Sequence, residues 1–241
     1  MKNCLINSRK IMEKQILPIT MPGIHEKFYN YFKKYSSEFD RPKVLEIGAG
    51  HGAFTEVLYK EGYAVSACDL FPELFYLKEV ECKKADLTAE LPYSSDTFDI
   101  IVAVEVMEHI HDHQMIFKEV SRILKNNGIF LFSTPNILSL KSRIRFLSSG
   151  FFYAFKPLDH NNNDGLQHLS SLTVDQYVNL GMNRGFSNYD FSIDKQQTTS
   201  KIYLFIVPLI WLYCKLKKID YHVHNRYEYL TGRILFACFR K

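Results

Sequence analysis

The sequence predicts an α/β fold in which a mainly parallel, doubly wound sheet carries helices on both faces. Three observations predict it. Short apolar runs alternate with stretches of helical periodicity, those runs show little period-2 polarity, and a glycine-rich turn at residues 48–52 (GAGHG) joins the first run directly to a helix. Strands buried on both faces read as continuous apolar segments, and such burial requires helical crossovers above and below the sheet.

Phe28, Tyr31, Phe32 and Tyr35 recur at helical spacing within residues 24–39, between Pro22-Gly23 and Asp40-Arg41-Pro42. An amphipathic helix therefore opens the domain, inside a helical segment set at residues 1–40. KVLEI (43–47) is a strand that runs into the glycine turn and a helix at 53–61. YAVSACDL (63–70) is a second strand ending in Asp69. A weak strand at 81–85, a strong one at 98–104, a helix at 113–125 and a strand GIFLFSTP (128–135) continue the alternation. Beyond Pro135 come a helix at 137–147, an irregular polar stretch at 156–167, a helix at 173–184 and a strand at 189–193. Residues 136–170 are set apart as an insertion on the substrate side. A hydrophobic helix is expected within 201–218, ahead of a closing strand RILFACF (233–239).

The chain has 241 residues, 46% of them hydrophobic, enough for one domain and crowded for two. A net charge of +4 permits an anionic substrate or membrane surface but gives no strong nucleic-acid signal. Its five cysteines form no CxxC pair and no metal-ligand spacing, which suits a reducing cytoplasm. The first 20 residues lack a continuous apolar core, so no secretory signal is expected.

Gly48, Gly50 and Gly52 let the backbone turn sharply and approach a ligand near free helix N–H groups. Alone they fit an ordinary strand-to-helix turn equally well, and with Ala53 they also satisfy the dinucleotide fingerprint of nicotinamide dehydrogenases. Asp69 suits a ribose diol in either cofactor, because one carboxylate accepts two hydroxyl hydrogen bonds. Glu46, before the first glycine, and Asp86, after the third strand, tip the balance away from the dehydrogenase.

Taken in order, VLEIGAGHGAF, ACDL, KADL, LPYSSDTFDIIVAVEVMEHI and RILKNNGIFLFSTPN resemble the successive motifs of class I S-adenosylmethionine (SAM) methyltransferases, over residues 21–185. The resemblance implies a Rossmann-like seven-stranded sheet with an antiparallel last strand. It also implies a SAM site in which the Gly48 turn lies under the methionine part, Asp69 with Leu70 holds the ribose, Asp86-Leu87 flanks the adenine, and Val104 closes the pocket. NNG at residues 126–128 departs from the family's usual PGG, at a turn only.

Glu105, Glu108 and His109 follow the strongest strand at spacings of three and four, at the sheet edge where ligands bind. EVMEH resembles the metal-binding motif of ubiquinone-pathway and small-RNA 2′-O-methyltransferases, with His168 at the place of the later ligand. The resemblance implies a divalent cation such as Mg²⁺ on Glu105, Glu108, His109 and His168, and Glu105, His109 and His168 as catalytic groups. In other relatives the Glu caps a loop and the His packs, so both readings stay open. His111 and His113 read as solvated loop residues, and His160 as a weaker ligand or base.

Residues 134–155 and 168–186 resemble members of the family tied to bacterial cell-surface polysaccharide synthesis, which implies a sugar or glycan acceptor, lipid-linked in one version. Lys141, Arg143 and Arg145 are then set against its phosphates, or form a solvated helix face. An RNA 2′-O-methyltransferase, a quinone-type small-molecule enzyme and a non-catalytic SAM-binding protein are the alternatives. The run between Lys201 and Lys215 is 13 residues long, too short for a bilayer crossing, and Pro208 interrupts it. With the basic residues that follow, the segment 202–218 suits a peripheral membrane contact at the inner face of the membrane, or a cover for the sheet or a dimer contact.

Overall fold

The computed structural model describes residues 16–162 and 164–241. In chain order the elements are α1 (Ile24–Ser36), β1 (Lys43–Ile47), α2 (Ala53–Lys60), β2 (Ala64–Asp69), β3 (Cys82–Lys84), β4 (Phe98–Val104), α3 (His113–Ile123) and β5 (Leu124–Pro135). They continue with α4 (Leu140–Ser149), α5 (Val174–Met182), β6 (Asn188–Ile193), α6 (Thr198–Ile202), α7 (Val207–Lys217), α8 (Tyr227–Thr231) and β7 (Ile234–Arg240). All seven strands form one sheet in the order β3-β2-β1-β4-β5-β7-β6. Strands β1 to β5 pair in parallel, and β7 runs antiparallel between β5 and β6, as expected for the last strand.

Alternate residues of β4 explain its unbroken apolar run. Ile101 and Ala103 join the core on one face with Phe117 of α3, Tyr177 of α5 and Phe239 of β7. Ile100, Val102 and Val104 join the opposite core with Phe28 and Phe32 of α1 and Phe54 and Leu58 of α2. From Ile100 to Val104 no position is left to face water, so no polar alternation appears there, and partly exposed Asp99 at the start of the strand pairs with Lys125. The strand order reverses at β1, whose two neighbours are β2 and β4. A crevice opens there beyond the carboxyl ends of the strands, and the Gly48 and Glu105 turns flank it.

Several boundaries differ from expectation. The expected strand at 128–135 begins at Leu124, which pairs with Phe98 before a bulge, and α3 correspondingly stops at Ile123 rather than 125. Asn127, at φ 64°, carries the chain through that bulge, the place where the NNG sequence departs from the family. Helix α4 starts at Leu140, not 137, because the Ser139 hydroxyl accepts the Ser142 amide as its N-cap. The apolar run near 202–214 is longer than expected: Thr198–Lys217 forms a continuous helical stretch of 20 residues, long and apolar enough to cross a membrane by length and composition. The turn around Pro208 does not interrupt it, because Pro208 sits at the start of α7, where its missing N–H costs nothing. Of the segment set at residues 1–40, residues 1–15 lie outside the described part.

Candidate active site

A cavity of about 760 Å³ lies across the switch point. It is lined by Glu46, Gly48, Gly50, Asp69, Leu70, Asp86, Leu87 and Val104 of the expected cofactor set, and by Glu105, Glu108, His109 and His168 of the expected acceptor set. The sequence expectation thus converges on one chamber.

Its cofactor side is built on the β1 turn. Gly48 takes φ 66°, and a Cβ there would stand 2.6 Å from the Val106 side chain, so only glycine lets the β1 and β4 turns meet. Asp69 is held with both oxygens engaged on one side: Oδ2 accepts the Gly50 amide and Oδ1 the Phe71 amide, each at 2.8 Å. Each oxygen keeps a lone pair for a ribose hydroxyl. Asp86 accepts the Thr88 amide and hydroxyl, which hold its carboxyl below the usual range and keep it charged. Glu46 is buried, accepts the Thr55 hydroxyl, and is pushed up to about 8 by burial.

Gly52 departs from expectation. It does not line the cavity; at φ 87° it begins α2, and a Cβ there would meet the Phe75 ring at 2.7 Å. Its role is packing.

The acceptor side is built on the β4 turn. Glu105 is a non-glycine residue at φ 55°, a conformation that L residues rarely hold. Ser133 holds it there: its hydroxyl accepts the Glu105 amide at 2.8 Å and donates to the Glu105 carboxylate at 2.9 Å. Burial pushes the Glu105 carboxyl up to about 7, and burial with the field of Glu105 raises Glu108 well above its usual value. The Glu108 carbonyl accepts the amides of Leu169 (2.8 Å) and Ser170 (3.2 Å), which clamps the irregular loop onto the turn. That clamp brings His168 against His109, ring centroids 4.9 Å apart.

Within this pair, His109 Nδ1 lies 2.9 Å from the Gln167 carbonyl. A carbonyl only accepts, so Nδ1 carries the hydrogen and the Nε2 lone pair is free. Burial lowers His109, and burial with the neighbouring His109 and Lys156 lowers His168 to about 4. Both rings are therefore neutral near pH 7. Glu108, His109 and His168 place one potential ligand atom each within 4.8 Å of one another, a donor set a metal ion could use. Glu105, expected as a fourth member, is turned to Ser133 and is outside that group.

Other expectations are corrected. His113 is buried, not solvated: its Nε2 lies 3.1 Å from the Met107 carbonyl and fastens the β4 turn to α3. His111 is exposed as expected, and His160 is exposed and away from the cavity. Arg143 is engaged within the fold: its guanidinium donates to the Leu138 and His224 carbonyls and to Asn225 Oδ1. Arg145 donates to the Phe155 carbonyl, and Lys141 sits 3.6 Å over the Tyr153 ring. None of the three lines the cavity.

Sequence reasoning missed Ile19, Met21, His25, Tyr153, Asn136 and Arg233, all on the cavity wall. Ile19 comes from a segment without periodicity, and a Gly50 Cβ would stand 3.0 Å from its Cδ1. Asn136 was within reach of inference, since it ends the quoted motif; its amide donates to the Tyr229 and Gly232 carbonyls and ties α8 to the sheet edge.

Comparison with known proteins matches a methyltransferase-domain family over residues 24–190. The chain belongs to the SAM-dependent methyltransferases. Among curated relatives, the ubiquinone biosynthesis O-methyltransferase of Pelagibacter ubique is 32% identical over 158 residues, 61% of this chain and 64% of that protein. The malonyl-[acyl-carrier protein] O-methyltransferase of a Paenibacillus species is 29% identical over 175 residues, 66% of this chain and 60% of that protein. The match thus spans less than two-thirds of the length of these relatives. A SAM-dependent methyltransferase from Archaeoglobus fulgidus shares the fold at TM-score 0.60, with 15% identity over 90% of this chain and 94% of that one. Family membership removes the nicotinamide dehydrogenase from consideration, and with it the second meaning of the glycine turn.

Proposed function

We propose that this methyltransferase moves the SAM methyl group onto a hydroxyl of a largely apolar small molecule, of the hydroxylated aromatic kind found in quinone precursors. The observation that carries the reading is the neutral His109–His168 pair in the same cavity as the Gly48–Asp69 cofactor edge. Two further points support it. The acceptor side is walled largely by Ile110, Pro135, Tyr153, Leu166, Leu169 and Ile234, which match an apolar ring better than a sugar needing many hydrogen bonds. Relatives at modest identity are named for ubiquinone biosynthesis. The sugar acceptor rests on the sequence resemblance alone.

In the reaction the acceptor oxygen attacks the methyl carbon in line with the sulfonium, and the C–S bonding pair passes to sulfur, leaving S-adenosylhomocysteine. The hydroxyl proton passes to an imidazole, with His109 Nε2 the free acceptor. Most of the acceleration then comes from alignment and exclusion of water. A divalent cation, which the family resemblance implies, fits the residues present: Glu108 Oε2 and His168 Nδ1 are buried with no hydrogen-bond partner among the described residues. Glu108, His109 and His168 would hold it, and His109 Nε2 would then be a ligand rather than the proton acceptor. Two imidazoles and one carboxylate suit a borderline transition metal better than Mg²⁺, which prefers oxygen ligands. Bound there, such an ion lowers the pKa of a coordinated hydroxyl.

The test measures S-adenosylhomocysteine release with a catechol-type acceptor and, separately, a nucleotide sugar. Turnover on the catechol is expected, and His109→Ala should cut it by about 10²–10⁴-fold while leaving SAM affinity unchanged. Turnover on the sugar alone overturns the reading. SAM binding with no turnover on either points to a non-catalytic SAM-binding protein. Loss of activity with EDTA and in Glu108→Gln supports the cation; full activity in both removes it.

A further inference from the structure

Within the stretch Thr198–Lys217, residues 202–214 carry no charged or amide side chain on any side, yet only 11% of the most apolar window is buried. A helix that is apolar all round belongs inside a protein or in lipid. Here Phe205 is 73% exposed, Leu209 69% and Leu216 73%, with Trp211 and Tyr213 also exposed. Between residues 195 and 219 there is no acidic side chain, and Lys201, Lys215, Lys217 and Lys218 are all exposed. We propose that this helical segment docks the methyltransferase on an anionic bilayer surface, lying in the plane of the interface.

Charge selects the occupant. Four lysines beside an apolar, aromatic stretch complement phospholipid headgroups with acyl chains beneath, and Trp and Tyr suit the headgroup level. A crossing would carry the two ends of the stretch to opposite sides of the membrane. Instead both stay on the body of the protein: fully buried Ser200 accepts the Lys141 amide at 3.2 Å, and near the other end Cys214 is buried. The end of α4 extends the same surface, with Phe146 and Leu147 exposed, and Phe152 stacked on Phe146 leads through Tyr153 into the cavity wall. The docking face therefore adjoins the acceptor side of the site, although docking does not depend on which acceptor is used.

Flotation of the full chain with vesicles tests this. Co-flotation is expected with phosphatidylcholine vesicles containing phosphatidylglycerol, with release by high salt and little binding to phosphatidylcholine alone. Replacing Lys215, Lys217 and Lys218 together by Gln should weaken binding by about a hundredfold, at roughly fivefold per lysine. The variant F205S/L209S/L216S should lose flotation while keeping SAM binding and the native circular dichroism spectrum. Absence of flotation with anionic vesicles, equal binding to neutral ones, or binding that survives high salt and alkali each overturns in-plane docking. A concentration-dependent dimer abolished by F205S/L209S/L216S would instead assign the face to a second copy.

Discussion

Gly48 leaves no room for a side chain beside Val106, and Gly48→Ala probes that contact. Alanine at φ 66° costs about 1–2 kcal/mol in backbone strain. Its Cβ would meet Val106 Cγ2 at 2.6 Å and Cγ1 at 2.8 Å, and overpacking of that kind costs about 1–3 kcal/mol more. The total, about 2–5 kcal/mol, is a large part of an ordinary domain's stability. Val106→Ala alone removes two methyl groups from a buried side chain and costs about 1–2 kcal/mol. Together the two changes should cost less than their sum by about 1–3 kcal/mol, because the second removes the clash made by the first. Urea unfolding of the four proteins, followed by circular dichroism, gives the cycle. Strict additivity would refute the claim that this contact locks the cofactor turn to the β4 turn.

Further outcomes follow from the same geometry. Phe117 meets the rings of Phe130, Phe132, Tyr177, Phe186 and Phe239, so Phe117→Ala should cost about 3–5 kcal/mol in urea unfolding; a cost under about 1 kcal/mol would contradict the core described. Burial lowers His25 to about 4, so below pH 6.5 the unfolded chain binds a proton that the folded chain refuses, and stability falls as pH drops toward 4. His25→Gln should therefore flatten the acid side of the stability profile, by about 2 kcal/mol at pH 5 relative to neutral pH; an unchanged profile would mean that His25 is hydrated. Gly52→Ala should destabilise through the Phe75 clash and the strain of φ 87°, and the additional Phe75→Ala change should lift the clash and give a folded protein with wild-type SAM affinity, because Gly52 packs rather than lines the cavity. Failure of that rescue would return Gly52 to the cofactor site.

What could be read in advance follows from how local each signal is. The β4 run and the glycine turn announce themselves because burial on both faces and positive φ leave marks in adjacent residues. Glu105, Glu108 and His109 were legible as a group for the same reason, being one turn of chain. Division of labour among them was not: Glu105 turns away because Ser133, 28 residues on, holds it, and His113 is buried by the Met107 carbonyl and Tyr177. Arg143 looked free because its partners, His224 and Asn225, lie some 80 residues downstream. Ile19 and Tyr153 reach the cavity from irregular segments, where no periodicity marks the inward face.

Calorimetric titration of the wild-type chain and Asp69→Ala with SAM and NAD tests the central claim most directly. The geometry predicts one SAM bound per chain, affinity weakened at least about tenfold in Asp69→Ala for the loss of a charged hydrogen-bond acceptor, and no NAD binding. Tight binding of NAD with none of SAM, or equal SAM affinity in both proteins, would contradict it.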